Sequence, residues 1–157
     1  MRIGILSDTH GDLEAARLAV TKMGWVDCLL HAGDHYRDAK ALSKNKDFPI
    51  YAVAGNCDWD ITEPEDILVS AAGKKIWLTH GHKYGVKLGH KMLLDQANEH
   101  NIDIVVYGHT HTAIMEQVDG VLIFNPGSLT YPRGHQGATY GIIEIYKDEI
   151  IPQIFEL

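Results

Sequence analysis

Five short apolar runs in this chain stop in the same way, and that shared ending constrains the fold more than any other feature. "IGIL" (3–6) gives way to "SDTHG", "CLLHA" (28–32) to "GDH" and "IYAVA" (50–54) to "GNCD". "KIWLT" (75–79) gives way to "HGH", and "IVVY" (104–107) to "GHTH". Each run has the length and residue types of a strand buried on both faces. Each then meets a glycine or small residue and groups able to bind metal ions: Asp8 and His10, Asp34, Asn56, His80, His109 and His111. In open α/β sheets ligands sit beyond the carboxyl ends of the strands, so the five endings are expected along one rim. In extended backbone, side chains two apart share a face. That predicts that His109 and His111 point together, and that Asp8 and His10 do the same.

The segments between the runs fix the topology. Helical patterns at 12–23 and 37–45 separate the first three runs, the signature of βαβ units on a parallel sheet. Residues 67–79 read as a hairpin turning at "AAGK", and a helix is expected at 86–100 with Leu88, Met92 and Leu93 on one stripe. Further hairpins are expected around Asp119-Gly120 and Lys147-Asp148. A parallel half thus meets a hairpin-rich half, most economically as two sheets face to face with helices outside. The expected class is α/β, as one domain over residues 1–157.

Several function classes fall away on composition. No apolar stretch approaches the roughly 20 residues needed to span a bilayer, and the N-terminus lacks a signal-peptide pattern. Cys28 and Cys57 form no CxxC, which fits a reducing cytoplasm. A formal charge of −7 argues against gripping nucleic acid through bulk electrostatics, though not against a small phosphate ester. No P-loop, GxSxG or HExxH motif occurs.

A single DxH or HxH means little, but five strand ends that each carry donors do not arise by chance. Seven oxygen and imidazole donors are too many for one tetrahedral ion. They suit two divalent ions sharing a carboxylate, and without thiolates they favour Mn²⁺, Fe, Zn²⁺ or Ni²⁺. Such a pair clamps the attacking and leaving oxygens of a phosphoryl displacement and makes hydroxide available from bound water.

In this order, "SDTHG", "GD", "GNCD", "HGH" and "GHTH" resemble the calcineurin-like metallophosphoesterase superfamily. With "NPGS" (125–128) the chain is most similar to its small single-domain prokaryotic phosphodiesterase branch. The resemblance implies a four-layer α/β/β/α sandwich of two facing mixed sheets. It implies one ion held by Asp8, His10 and His111, a second by Asn56, His80 and His109, and Asp34 bridging. Asp34 and Asn56 would then sit at the reacting centre, where in-line attack on phosphorus needs no covalent intermediate.

The sequence departs from the family at one place. Many members carry a histidine just after the motif asparagine, held to position phosphate or protonate the leaving group; here it is Cys57. A thiol is a poor acid near neutral pH, so His35, His82 and Asp58 are the nearby candidates for that role. His82 is expected to orient other ligands, and Arg133 is either a phosphate contact or a surface cation. "NPGS" is expected to form a rigid turn near the rim. Lys83, Lys87 and Lys91 are expected as a solvated stripe on one helical face, and Trp25, Trp59 and Trp77 as packing, with Trp59 a possible wall of the cleft.

The leading expectation is a metal-dependent phosphodiesterase with an open cleft for small esters, no membrane partner and room for a homo-oligomer. A phosphomonoesterase on the same site is the nearest alternative. A protein-interaction scaffold of the same fold, like the eukaryotic retromer subunit, and a metal sensor are the readings from other classes.

Overall fold

The computed structural model describes residues 1–44, 47–59, 62–134 and 137–157. The first three runs become β1 (Arg2–Leu6), β2 (Cys28–His31) and β3 (Ile50–Ala52), joined by α1 (Leu13–Met23) and α2 (Tyr36–Ser43). Next come β4 (Asp66–Ala71), β5 (Lys74–Thr79), a 3₁₀ turn (His82–Tyr84), α3 (Lys91–His100) and β6 (Ile104–Val106). Two hairpins complete the chain: β7 (Ala113–Val118) with β8 (Val121–Pro126), and β9 (Thr139–Tyr146) with β10 (Glu149–Glu156).

Two five-stranded mixed sheets result, ordered β10-β9-β1-β2-β3 and β4-β5-β6-β8-β7. The expected split into a parallel half and a hairpin half does not follow the sheet boundary. In the first sheet β1, β2 and β3 run parallel, and the C-terminal hairpin adds antiparallel to β1. In the second, β5, β6 and β8 run parallel between antiparallel β4 and β7. The reason lies in β1, whose last four residues are buried. Such a strand cannot be left with an open edge, and β9 closes it.

Three apolar clusters separate four layers. Ile3, Ile5 and Leu30 of the first sheet meet Ile76, Leu78, Val106 and Phe124 of the second. On the outer face of the first sheet, Leu6, Leu29 and Ile142 pack on Ala16, Val20 and Met23 of α1 and Leu42 of α2. On the far side Trp77, Val105 and Ile123 pack on Leu93 and Ala97 of α3. Gly4 sits where α1 comes closest: a Cβ there would lie 2.7 Å from Met23 Sδ and 2.9 Å from Leu29 Cδ1. Asp12 caps α1 by accepting from the Ala15 N–H (2.9 Å).

Two local expectations need correction. The helix expected at 86–100 begins only at Lys91, because Gly85 (φ 61°) and Gly89 (φ 136°) turn the chain before it. Lys83, Lys87 and Lys91 therefore do not share a helical face. Of the three tryptophans only Trp77 is packed; Trp25 and Trp59 are 70% and 87% exposed.

Candidate metal centre

The donors do gather on one rim, but the backbone that presents them is not extended. The strands stop before the donors begin, and Asp8 (φ 52°), His10 (44°), Asp34 (54°), His109 (66°) and His111 (59°) all adopt the left-handed conformation, as does His35 (74°). Side chains in that region cost of order 1 kcal/mol each, and such strain persists where the surroundings impose it. The period-two argument for His109 and His111 therefore fails, and the two rings go to different groups.

His111 joins Asp8, His10 and Asp34, whose donor atoms all lie within 4.8 Å of one another. His10 Nε2 is 3.2 Å from His111 Nε2 and 3.7 Å from Asp34 Oδ2. The His111 Nδ1–H donates to the Tyr131 carbonyl (2.8 Å), which leaves Nε2 as a lone pair facing His10 and, at 3.2 Å, Asp8 Oδ1. Asp8 Oδ2 accepts from the Ser7 hydroxyl (2.5 Å) and the His109 N–H (3.1 Å). Asp8 Oδ1 is buried and has no hydrogen-bond partner. Buried orphan acceptors are rare, and a cation held among these donor atoms would satisfy this one.

His109 joins His80 and Asn56 instead. The fully buried His80 donates from Nδ1 to the Ala32 carbonyl (2.7 Å), which turns Nε2 toward Asn56 Oδ1 (3.1 Å) and Asp34 Oδ1 (3.3 Å). The His80 and His109 rings are 5.1 Å apart. Asp34 thus sends Oδ2 toward His10 and Oδ1 toward His80. Burial opposes its negative charge, but His80, the Cys57 N–H and His10 together outweigh burial and lower its pKa. Burial and His80 push His109 down to about 4, burial lowers His10, and the Asp8 carboxylate raises His111. The shifts at His109 and His10 favour the neutral ring, the form in which imidazole binds an ion.

The remaining expected residues fall into place around these groups. The Cys57 N–H donates to Asp34 Oδ1 (2.9 Å), while burial and the Asp34 carboxylate push its thiol up to about 11. Asp58 spends both oxygens on backbone, accepting from Tyr36 N (2.9 Å) and Gly55 N (2.9 Å), so it pins the Asn56 loop. His82 lies 5.4 Å from the His80 ring and 6.2 Å from the His109 ring, with a buried, unpaired Nδ1. The His35 ring is 5.6 Å from that of His10. Arg133 is exposed, and its backbone N–H donates to the His111 carbonyl (2.9 Å).

A supporting layer went unread in the sequence. "NPGS" announced a turn, yet its side chains do more. Asn125 Nδ2 donates to the Gly108 carbonyl (2.9 Å) and Thr110 Oγ1 (3.1 Å), and Ser128 Oγ donates to the Asp8 carbonyl (2.8 Å). The Thr9 hydroxyl donates to Asp38 Oδ2 (2.6 Å), which also accepts the Gly11 N–H (2.9 Å), and the ring of His31 lies 3.1 Å from Thr9 Oγ1. Thr9 lies within "SDTHG" and His31 within "CLLHA", but neither stands out there, and no motif marks Asp38.

A four-layer sandwich with oxygen and imidazole donors gathered where its two sheets meet defines a narrow class. The pattern of the calcineurin-like phosphoesterase superfamily domain matches residues 1–148, and the chain belongs to that family. A phosphodiesterase of Methanocaldococcus jannaschii is 34% identical over 172 residues, covering 95% of this chain and 96% of its own. The crystal structure of a predicted phosphoesterase from Streptococcus pneumoniae superimposes with a TM-score of 0.83 at 27% identity, covering 99% of this chain and 88% of that one. Vacuolar protein sorting 29 of Cryptosporidium parvum shares the fold, with a TM-score of 0.75 at 17% identity over 99% of this chain and 97% of its own.

Members of this family need divalent metals, and the residues here fit them. The orphaned Asp8 Oδ1 supplies the unmet demand for a cation, and the Nε2 atoms of His111 and His10 lie 3.2 and 4.0 Å from it. The donor set, without thiolate, suits a hard or borderline ion.

Proposed function

We propose that this chain is a phosphodiesterase with two divalent ions, one held by Asp8, His10 and His111, the other by Asn56, His80 and His109, and Asp34 shared. The observation that supports the pair most directly is the division of Asp34, with Oδ2 3.7 Å from His10 Nε2 and Oδ1 3.3 Å from His80 Nε2. When bound, the ions supply an activated water and charge for the attacking and leaving oxygens of an in-line displacement. The residues of the chain prepare that chemistry. The Ala32 and Tyr131 carbonyls fix the tautomers of His80 and His111, Ser7 and the His109 N–H orient Asp8, and the Cys57 N–H orients Asp34. Both Asp58 oxygens are tied to backbone N–H groups, which favours its charged form over that of an acid, and the thiol of Cys57 holds its proton at neutral pH. The site therefore favours esters whose alcohols leave with little protonation. The phosphodiesterase of Methanocaldococcus jannaschii, similar over nearly its whole length, supports diesters over monoesters.

Manganese is the ion to try first. No helix among the described residues is long and apolar enough to cross a membrane. The reading is tested by metal content together with hydrolysis of bis(p-nitrophenyl) phosphate against p-nitrophenyl phosphate, with Mn²⁺ and then with chelator. About two ions per chain and chelator-sensitive turnover favouring the diester are expected. Two ions without turnover on either ester would overturn the hydrolase; monoester preference would overturn the choice of substrate.

A further inference from the structure

Tyr131 is held at the edge of the candidate centre by backbone hydrogen bonds. Its N–H donates to Ser128 Oγ (3.0 Å), and its carbonyl accepts from His111 Nδ1 (2.8 Å). Two residues on, the Arg133 N–H donates back to the His111 carbonyl (2.9 Å). The segment is thus tied to the same histidine that faces Asp8 and His10.

Its side chain is placed differently. The ring centroid lies 5.2 Å from that of His10, tilted by 58°, yet the residue remains 60% exposed. The ring thus has one side toward His10 and leaves much of its surface open to a ligand. Because the backbone is already fixed, stacking a second ring here orders little that is not ordered already. On the same loop Arg133 is exposed, two residues along from Tyr131. The edge of the centre therefore offers an open aromatic ring beside the donor cluster, with an exposed arginine two residues along the same loop. A ligand that meets all three carries a planar ring and a phosphate.

We propose that Tyr131 is the stacking platform for a nucleobase on the organic side of the ester, so that nucleoside phosphodiesters are the preferred substrates. This rests on the phosphodiesterase reading above. Base–aromatic stacking lost on replacement by an aliphatic residue corresponds to about a tenfold change in affinity or more.

The experiment is calorimetric titration of the Mn²⁺-loaded protein with uridine 5′-monophosphate and with ribose 5-phosphate, which share the ribose phosphate and differ by the base. The wild-type chain is expected to bind the nucleotide about tenfold more tightly. Tyr131→Leu is expected to bring the two ligands within about twofold at unchanged metal content, while Tyr131→Phe and Tyr131→Trp keep the preference. Should the leucine variant fail to load metal, Tyr131→Met serves as the second aliphatic probe. Equal binding of the two ligands by the wild type, or an undiminished preference in the aliphatic variants, would overturn the platform. Equal weakening of both ligands at full metal content would assign Tyr131 to support of His10 instead. Hydrolysis is scored separately with bis(p-nitrophenyl) phosphate. A preference that depends on Tyr131 without turnover would retain the platform and remove the phosphodiesterase; turnover without that preference would do the reverse.

Discussion

Asp34 concentrates the proposed chemistry in one side chain. It is 2% exposed, left-handed at φ 54°, and has one oxygen toward each histidine group. Asparagine tolerates that conformation better than most residues and keeps the shape, so Asp34→Asn tests charge rather than fold. Bound metal is expected to fall from about two ions to fewer than one, with activity down at least about 100-fold and an unchanged circular dichroism spectrum. Full metal content in that variant would remove the bridging role. The neighbouring Cys57 admits a complementary test, because its backbone N–H bond to Asp34 survives substitution while the contact from its thiol does not. Cys57→His should leave the metals in place and raise turnover of alkyl diesters by about tenfold, with little change for nitrophenyl diesters, if lack of an acid limits the rate. The ratio of the two rates is the readout, and an unchanged ratio would count against that limit.

At the scale of elements, the places of strands and turns along the chain were legible because their signals are local, whereas the order of the strands in the two sheets was not. Apolar runs of fixed length gave β1, β2, β3, β5 and β6, and Asp119-Gly120 gave a hairpin turn in which both residues take positive φ (50° and 84°). The left-handed backbone at Asp8, His10, Asp34, His109 and His111 was not legible. Glycine announces positive φ, and these are not glycines; only the assembled rim imposes it. The roles of Asn125 and Ser128 were hidden for a related reason, since they depend on β8 lying beside β6 and on the two sheets meeting. Asn125 is fully buried at the end of β8 and holds the loop after β6 at both Gly108 and Thr110. Asn125→Ala leaves those groups without their donor and the Gly127 N–H without its acceptor. A loss of about 1–3 kcal/mol in urea unfolding is expected, and a 10- to 100-fold weaker metal affinity by chelator competition. Loss of stability with unchanged metal affinity would make Asn125 a packing residue only.

Across the whole molecule, the candidate centre is a property of the sheet pair. Asp8, His10, Asp34 and Asn56 follow strands of the first sheet; His80, His109 and His111 follow strands of the second. Neither sheet alone presents either proposed ligand set, so anything that loosens their contact loosens the site. His31 gives that coupling a pH dependence. It ends β2, is fully buried beside Thr9, and burial pushes its pKa down to about 4 from an ordinary value near 6.5. Above pH 6.5 the ring is neutral in both folded and unfolded chains, and its contribution to stability does not change. Between about pH 6.5 and 4 the unfolded chain takes up a proton that the folded chain refuses, so stability falls by up to about 1.4 kcal/mol per pH unit from this group. Below about 4 the folded chain takes up the proton as well, and the dependence levels off. His31→Gln can still donate toward Thr9 Oγ1 but cannot titrate. The variant is expected to lose less stability than the wild type between pH 7 and pH 5, by about 1–2 kcal/mol, in urea unfolding of the metal-free protein. Parallel losses in the two proteins would place the acid sensitivity in the other histidines of the rim.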